Sequence, residues 1–343
     1  MRRLAKMILL CTLATVVVMT GSGAAWEQIE RNRATREFPA PGKMIDIGGR
    51  SVHLDCRGHG SPTVVLESGA DTSGSALWFP VHRQVASFTR VCSYDRAGLM
   101  WSESAGDGPR DPVAVVSDLQ RTLRTANESP PYVMVGASLG GPFTMIFTKY
   151  HGSEVAGLVF VDAAHPDQTD RLAAATGHPE EGIPAALKVL RYLVWTGLPR
   201  LLIPEPTVKE LPPDIVRAIG AYQPVSLAAS FDEAQAMEST LREAGTFRDL
   251  GDRPLAVLSR GKPWSAYSET ERAGTSMTRE QFDRMQQVWS EMQMEEASWS
   301  TQSTHRTLDD SSHVIQLERP DAVVDAVRAV VSQVRAKNAA STR

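Results

Sequence analysis

Apolar and polar positions follow two rhythms along this chain. Short apolar runs, PTVVLESG, TRVCSYDRAG, PYVMVGAS, VAGLVFVDA and RPLAVLSRG, read as buried strands. Between them lie stretches with apolar residues at helical spacing, such as Val113, Val116, Leu119 and Leu123 in PVAVVSDLQRTLRTA. VHRQVASF, GGPFTMIFTKYHG and RPDAVVDAVRAVVSQVRA read the same way. Near the start of this region KMIDIGG and RSVHLDCRG form a hairpin with Gly48-Gly49 at its turn. Strands and helices that alternate in this order predict an α/β fold, a mainly parallel sheet covered by helices on both faces.

The rhythm breaks between Ala164 and about Gly251. Helix-like pieces rich in Leu, Ala and Pro, such as IPAALKVLRYLVWTGLPRLL, follow one another there with no clear strand. Residues 165–250 are therefore expected to form a helical insertion above the sheet. Its Trp195, Leu198, Leu201 and Leu202 either cover a ligand or belong to a plain second helical layer.

A different pattern opens the chain. MRRLAK is basic, and no charge occurs from Met7 to Trp26, a stretch just long enough to cross a bilayer. Small residues at 21–25 suit signal-peptidase cleavage. Residues 1–25 are thus a signal peptide or an uncleaved membrane anchor, and either one places the rest outside the cytosol. Membrane attachment, if retained, would run through residues 7–25. Cys11 follows Leu10 rather than a small residue, so it reads as apolar filling and not as a lipid acceptor. Residues 26–42 are polar, end in two prolines, and read as a linker or an exposed helix. Residues 337–343 read as a flexible tail.

The 343 residues suffice for one large domain with an insertion or for two domains. A net charge of -4 without a long basic run argues against nucleic acid as a partner. There is no HExxH, no CxxC pair, no phosphate loop, and no GxGxxG after a strand, so neither metal nor cofactor is expected.

The informative chemistry lies in PYVMVGASLGGPF. A buried strand runs into Gly136-Ala137-Ser138-Leu139-Gly140, and a helix opens at Gly140-Gly141-Pro142. This is the pattern of a nucleophile elbow. A tight strained turn lifts the serine oxygen from the sheet, and glycines on either side leave room for strand and helix to crowd together. The helix N-terminus then directs its free N–H groups at developing negative charge. Pro142 fits a first helical turn.

With the elbow, TVVLESGAD, CSYDRAGLMWS, LVFVDAAHPD and SSHVIQLERPDAV occur in order, and the chain resembles the α/β-hydrolases of the lipase, esterase and proline-iminopeptidase type. The resemblance covers residues 43–164 and about 251–336. It implies the α/β-hydrolase fold, with a mostly parallel eight-stranded sheet and a helical cap inserted after strand 6. It also implies that Asp95-Arg96 brace the loop beside the site. In that fold the second strand lies antiparallel beside the fourth. The ends carrying Cys56 and Cys92 should then meet far from the site, either as a disulfide or as two buried thiols.

A serine nucleophile needs a base, an acid that orients the base, and an oxyanion hole. His313 in DDSSHVIQ, ahead of the last helix, is the expected base; the family's usual preceding glycine is Ser312 here. His305 falls on the preceding strand, and His165 either lines the site or starts the cap. In many relatives the acid follows the strand read as PLAVLSRG, but no Asp occurs in the loop after it, and the first carboxylate there is Glu269. Asp162, at the tip of VFVDAAH, is the expected acid and Glu269 the alternative. The Leu139 amide is the first oxyanion donor, and by resemblance the Ala70 amide is the second.

These residues imply a serine hydrolase acting on a small-molecule ester, or on an amide, through an acyl-enzyme. The alternatives are a proline-iminopeptidase-like enzyme, a carbon–carbon bond hydrolase, and a binding protein that kept the fold without the chemistry. The peptidase reading would need acidic cap residues to hold a free amine, and Glu180, Glu181 and Glu233 are the candidates.

Overall fold

A computed structural model describes residues 2–106, 110–177, 189–275 and 277–341. Eight strands form one sheet in the order β1-β2-β4-β3-β5-β6-β7-β8. They are β1 (Lys43–Asp46), β2 (Ser51–Arg57), β3 (Thr63–Glu67), β4 (Val91–Tyr94), β5 (Tyr132–Ala137), β6 (Val155–Val161), β7 (Leu255–Arg260) and β8 (Ser303–Leu308). β2 is antiparallel to both β1 and β4, and every later pairing is parallel. The expected α/β-hydrolase fold is therefore the observed one.

The central strands are mostly apolar because both their faces are covered. Successive side chains point to opposite faces. On β5, Tyr132 and Met134 join one core with Leu119, Leu123, Phe143, Ile146 and Phe147 of the helices Pro112–Thr125 and Gly140–His151. Val133, Val135 and Ala137 join the other core with Val81 and Val85 of Phe79–Val85 and with Val323, Val327 and Val331 of Pro320–Ser341. β8 is largely exposed, and its polar STHRTL suits a sheet edge.

Cys56 and Cys92 are directly opposed on β2 and β4 and form a disulfide. It joins the start of β4 to the end of β2, the ends opposite the strand tips that carry Ser138 and Asp162.

Between β6 and β7 the described residues form helices only: Gln168–Thr176, a 3-10 turn at Arg191–Thr196, Leu198–Leu202 and the long Pro213–Gly245. Glu180 and Glu181 lie outside the described residues. Between β7 and β8 a second helical stretch, unforeseen from the sequence, contains Arg279–Ser298. Thr278 and Gln281 close a capping box at its start, and it buries Phe282, Trp289, Met292, Gln293 and Glu296.

Of the two readings of residues 26–42, linker or helix, the helix holds as far as Glu37, where helix Arg2–Glu37 continues unbroken from the apolar run. Glu27 is buried because Arg200 and Arg31 neutralise it, at 2.5 and 2.7 Å. The chain beyond the helix is held as well, since the Phe38 carbonyl accepts from Trp101 Nε1 at 3.0 Å and from the Tyr222 hydroxyl at 3.2 Å. Of the expected tail 337–343, residues 342–343 lie outside the described residues and 337–341 are helical. The last helix runs to Ser341, and Lys337 donates to Asp252 at 2.7 Å.

Candidate active site

β5 ends at Ala137, and Ser138 adopts φ 52, a left-handed conformation that costs a non-glycine residue strain. Two glycines make the turn feasible. A Cβ on Gly136 would lie 2.5 Å from the Gly140 carbonyl carbon, and one on Gly140 would overlap the Glu67 carbonyl. Strand, turn and helix therefore approach at backbone contact, and the Ser138 side chain stands at the strand tip.

Asp162 follows the adjacent β6 tip and is also left-handed, with φ 46. Its amide donates to the Leu258 carbonyl at 2.7 Å, which ties the turn to β7. The carboxylate is fully buried. Its Oδ1 accepts from the Arg260 amide at 2.9 Å and from Trp289 Nε1 at 2.7 Å. Its Oδ2 accepts from the Arg260 guanidinium at 3.0 Å and meets His313 Nδ1 at 2.6 Å. Burial pushes this carboxyl up, but the Arg260 cation and the His313 and amide donors outweigh it and hold the group below the usual carboxylate range.

His313 Nε2 lies 2.9 Å from Ser138 Oγ. A carboxylate only accepts, so Nδ1 carries the proton and Nε2 offers its lone pair to the serine hydroxyl. The imidazole edge meets Trp289 in a T-shaped contact at 6.2 Å, and Arg260 stacks 4.1 Å from the centroid of a Trp289 ring. Ser312, where relatives have glycine, has a role of its own. Its amide and hydroxyl donate to Glu318 at 2.5 and 3.0 Å, and the Ser311 hydroxyl adds 3.0 Å. One carboxylate thus fixes the loop that presents His313.

The structure brings Ser138, His313 and Asp162 into one hydrogen-bonded row. Glu269 is not part of it: this residue opens an exposed helix, Glu269–Gly274. Leu139 precedes the Gly140 helix, and its amide has no acceptor among the described residues; the exposed Ala70 amide also has none. Gly69 brings the Ala70 loop against the serine, since a Cβ there would lie 3.1 Å from Ser138 Cβ.

That loop is clamped from below. Arg96 NH1 donates to Glu67 at 2.6 Å and to the Ser68 carbonyl at 2.7 Å, and NH2 donates to the Gly69 carbonyl at 2.7 Å. The other guanidinium edge grips Glu233 of the Pro213–Gly245 helix at 2.8 and 2.7 Å. Glu233 is buried in this pair, so it is neither a solvated cap residue nor free to hold a substrate amine. Asp95 accepts from His53 Nδ1 and from the Ser75 amide, both at 2.7 Å. The Asp95-Arg96 pair thus braces the loop, as anticipated.

His305 lies on β8, 2.6 Å from the Ser259 hydroxyl, away from the Ser138 row. His165 is buried against Trp299. Desolvation pushes it down to about 4, so it is neutral at pH 7. It clusters with Asp167 and Glu295 in a ligand-like group. Arg248 and Arg171 already neutralise both carboxylates, with contacts from 2.6 to 3.2 Å, and they oppose a cation there. The Cys56 and Cys92 sulfurs beside Glu128 are bonded to each other and are not thiolate ligands.

A family model described as alpha/beta hydrolase family matches residues 16–326, most of the chain. The chain belongs to the alpha/beta hydrolase family. Among curated relatives, it is 26% identical over 325 residues to a probable transporter of Hormonema carpetanum, covering 87% of this chain and 44% of that protein. It is 32% identical over 153 residues to an uncharacterized protein of Schizosaccharomyces pombe, covering 36% of this chain and 28% of that one. The match thus spans well under two thirds of either relative. Similar solved hydrolase structures include a thermophilic esterase from Thermogutta terrifontis, with TM-score 0.58, 18% identity and coverage of 85% of this chain and 98% of that one. A lipase-named structure from Acinetobacter baumannii has TM-score 0.58 and 15% identity over 90% of this chain and 97% of that one. At these identities the likeness extends to the fold alone.

Two supports of the site had escaped the sequence reading, Arg260 and Trp289. Arg260 had a signal. It stands at the β7 tip, next to the loop where many relatives keep their acid, and a cation there calls for a carboxylate nearby. Trp289 had none, because its helix is predominantly polar in sequence.

Proposed function

We propose that this hydrolase cleaves carboxylic esters through Ser138, with His313 as base, Asp162 as the acid that orients it, and the Leu139 and Ala70 amides as oxyanion donors. The observation that carries this reading is the row Ser138–His313–Asp162 at 2.9 and 2.6 Å, beside two amides without acceptors among the described residues. His313 takes the hydroxyl proton as Oγ attacks the carbonyl carbon. The two amides then stabilise the oxyanion. His313 next protonates the departing alcohol, and a water activated by the same nitrogen releases the acid from the acyl-enzyme. The buried Asp162 charge stabilises the imidazolium at each step.

The burial of Glu233 by Arg96 removes one of the amine-binding carboxylates that a proline-iminopeptidase-like enzyme would need, which favours esters over N-terminal peptides. The proposed compartment is extracytoplasmic. Arg2, Arg3 and Lys6 precede the apolar helix on the side that stays in the cytoplasm, and the Cys56–Cys92 disulfide suits an oxidising environment.

The test is fluorophosphonate labelling together with p-nitrophenyl ester hydrolysis across acyl lengths. Ser138→Ala and His313→Ala should lose labelling and turnover. Asp162→Asn should lose about 10³-fold or more in kcat, and Glu269→Gln should match wild type. A folded wild type that neither labels nor turns over any ester refutes the reading.

A further inference from the structure

We propose that the cap face carrying Tyr192, Trp195, Leu201 and Leu202 rests on the surface of the lipid bilayer that holds the N-terminal helix. The inference depends on the reading of residues 7–25 as membrane-embedded.

Four large apolar side chains stand out of the cap within a short stretch. Tyr192 is 65% exposed, Trp195 55%, Leu201 70% and Leu202 60%. A soluble surface seldom gathers such residues without a partner. What covers them follows from the element they touch. Segment 192–202 packs on helix Arg2–Glu37 where its uncharged run ends. A Cβ on Gly23 would overlap the Thr196 carbonyl oxygen, and a Cβ on Gly197 would lie 2.8 Å from the Trp26 ring. One turn later Arg200 locks onto the buried Glu27 at 2.5 Å. The cap is therefore fixed to the helix at residues 23–27.

That level is where a membrane would end. An 18-residue window of the helix has mean hydropathy 2.0, and none of it is buried against the protein. At roughly 1.5 Å per residue, the run from Met7 to Trp26 spans about 30 Å, the thickness of a hydrocarbon core. With the run embedded, Gly23 to Trp26 lie at the outer boundary. The segment clamped there has no room to stand away from the headgroups. Its composition fits that depth, since Trp and Tyr favour the interface and the two exposed leucines suit apolar contact there. The charged Arg200 is turned inward to Glu27, so it does not oppose insertion. The lipid that takes up the apolar helix is thus the occupant assigned to the exposed cap residues clamped at its outer end. A cap seated this way keeps the hydrolase close to substrates that partition into the membrane.

The experiment uses the full chain with Cys11→Ser, reconstituted in vesicles of phosphatidylcholine and phosphatidylglycerol at three to one. Leu202→Cys is labelled with an NBD fluorophore. Met294→Cys, 51% exposed on the Arg279–Ser298 helix, serves as the reference. The Leu202 label is expected to brighten about threefold over detergent-free water levels, to shift blue, and to be quenched by lipids with a nitroxide near the headgroup. The Met294 label should stay water-exposed. If the chain floats with the vesicles and the Leu202 label behaves like the Met294 label, the proposal is overturned while the anchor stands. If the chain does not float, the anchor reading fails and the proposal falls with it.

Discussion

Glu233→Gln is the substitution that most directly tests how the cap is joined to the catalytic loop. Arg96 is buried and makes five hydrogen bonds, two to Glu233, one to Glu67 and two to the carbonyls of Ser68 and Gly69. Glutamine keeps the shape but loses the charge, and its amide nitrogen must face a guanidinium that only donates. Removing one partner from a buried ion pair costs about 3–5 kcal/mol. Glu67 still neutralises Arg96, so the low end applies, about 3 kcal/mol or ~150-fold in the folding equilibrium. The comparison is Glu243→Gln, which breaks the Lys149 pair at 2.6 Å between side chains 25% and 29% exposed. Such a surface pair contributes about 0–1 kcal/mol.

The assay is urea unfolding of the detergent-solubilised full chain, followed by tryptophan fluorescence, with p-nitrophenyl acetate kinetics on the same samples. Because Arg96 holds the Ser68 and Gly69 carbonyls, loosening it misplaces the Ala70 amide. A full oxyanion donor is worth about 10²–10³ in kcat, so partial misplacement should cost about 10-fold in kcat with KM little changed. If Glu233→Gln unfolds within 0.5 kcal/mol of wild type, or no more easily than Glu243→Gln, the buried clamp does not couple cap to loop and the reasoning fails.

Two desolvated groups, the Asp71 carboxyl and the His165 imidazole, predict opposite pH trends. Desolvation pushes Asp71 up to about 6, so the stability tied to its protonated form is full below 3.8 and is lost as pH rises to 6, at most about 3 kcal/mol. Asp71→Asn should flatten that part of a stability-versus-pH curve. His165 is pushed down to about 4 from 6.5, so its contribution is full above 6.5 and is lost as pH falls to 4, again about 3 kcal/mol; His165→Gln should remove the acid-side loss. A curve unchanged by either variant would refute the corresponding assignment. The Cys56–Cys92 bond closes a loop across a separation of 36 residues, and loop-closure entropy alone gives about 4 kcal/mol. Paired Cys56→Ser and Cys92→Ser should lower the unfolding midpoint accordingly, with initial ester turnover unaffected, because the bond lies at the far end of the strands.

Much of this molecule was legible along the chain because its signals are short-range. The strands declare themselves by apolar runs, and the elbow by Gly136, Ser138 and Gly140 within one turn. What was not legible depends on residues distant in sequence. Arg96 meets Glu233 across 137 residues, and Trp289 meets Asp162 across 127. No periodicity marks such a pair before the fold assembles it. Glu233 reads as a solvated helical face because its partner lies on a different layer. Residues 26–37 stay open between linker and exposed helix for a related reason. Their polar composition fits both, and only the packing of Glu27 and Ala34 on the cap decides for a helix that is partly buried.

The proposed acid, Asp162, depends on the cation at the neighbouring strand tip. Relatives that keep the acid after the PLAVLSRG strand need a carboxylate there, and this chain has Arg260 at the strand tip. A cation in that place, partly buried and stacked on Trp289, requires a negative partner, and Asp162 across from it supplies one at 3.0 Å. The same cation holds the Asp162 carboxyl below the usual carboxylate range despite full burial, and in the proposed mechanism only an ionised carboxylate leaves His313 Nε2 free to act as a base. Removing the charge tests this dependence. Arg260→Met should keep much of the stacking on Trp289 while removing the guanidinium, so the Asp162 carboxyl should rise and the acid limb of the kcat/KM profile should move to higher pH. Arg260→Lys should restore part of that limb. If Arg260→Met leaves the profile in place, His313, Trp289 and the Arg260 backbone amide hold Asp162 ionised without the guanidinium, and the arginine is a packing residue.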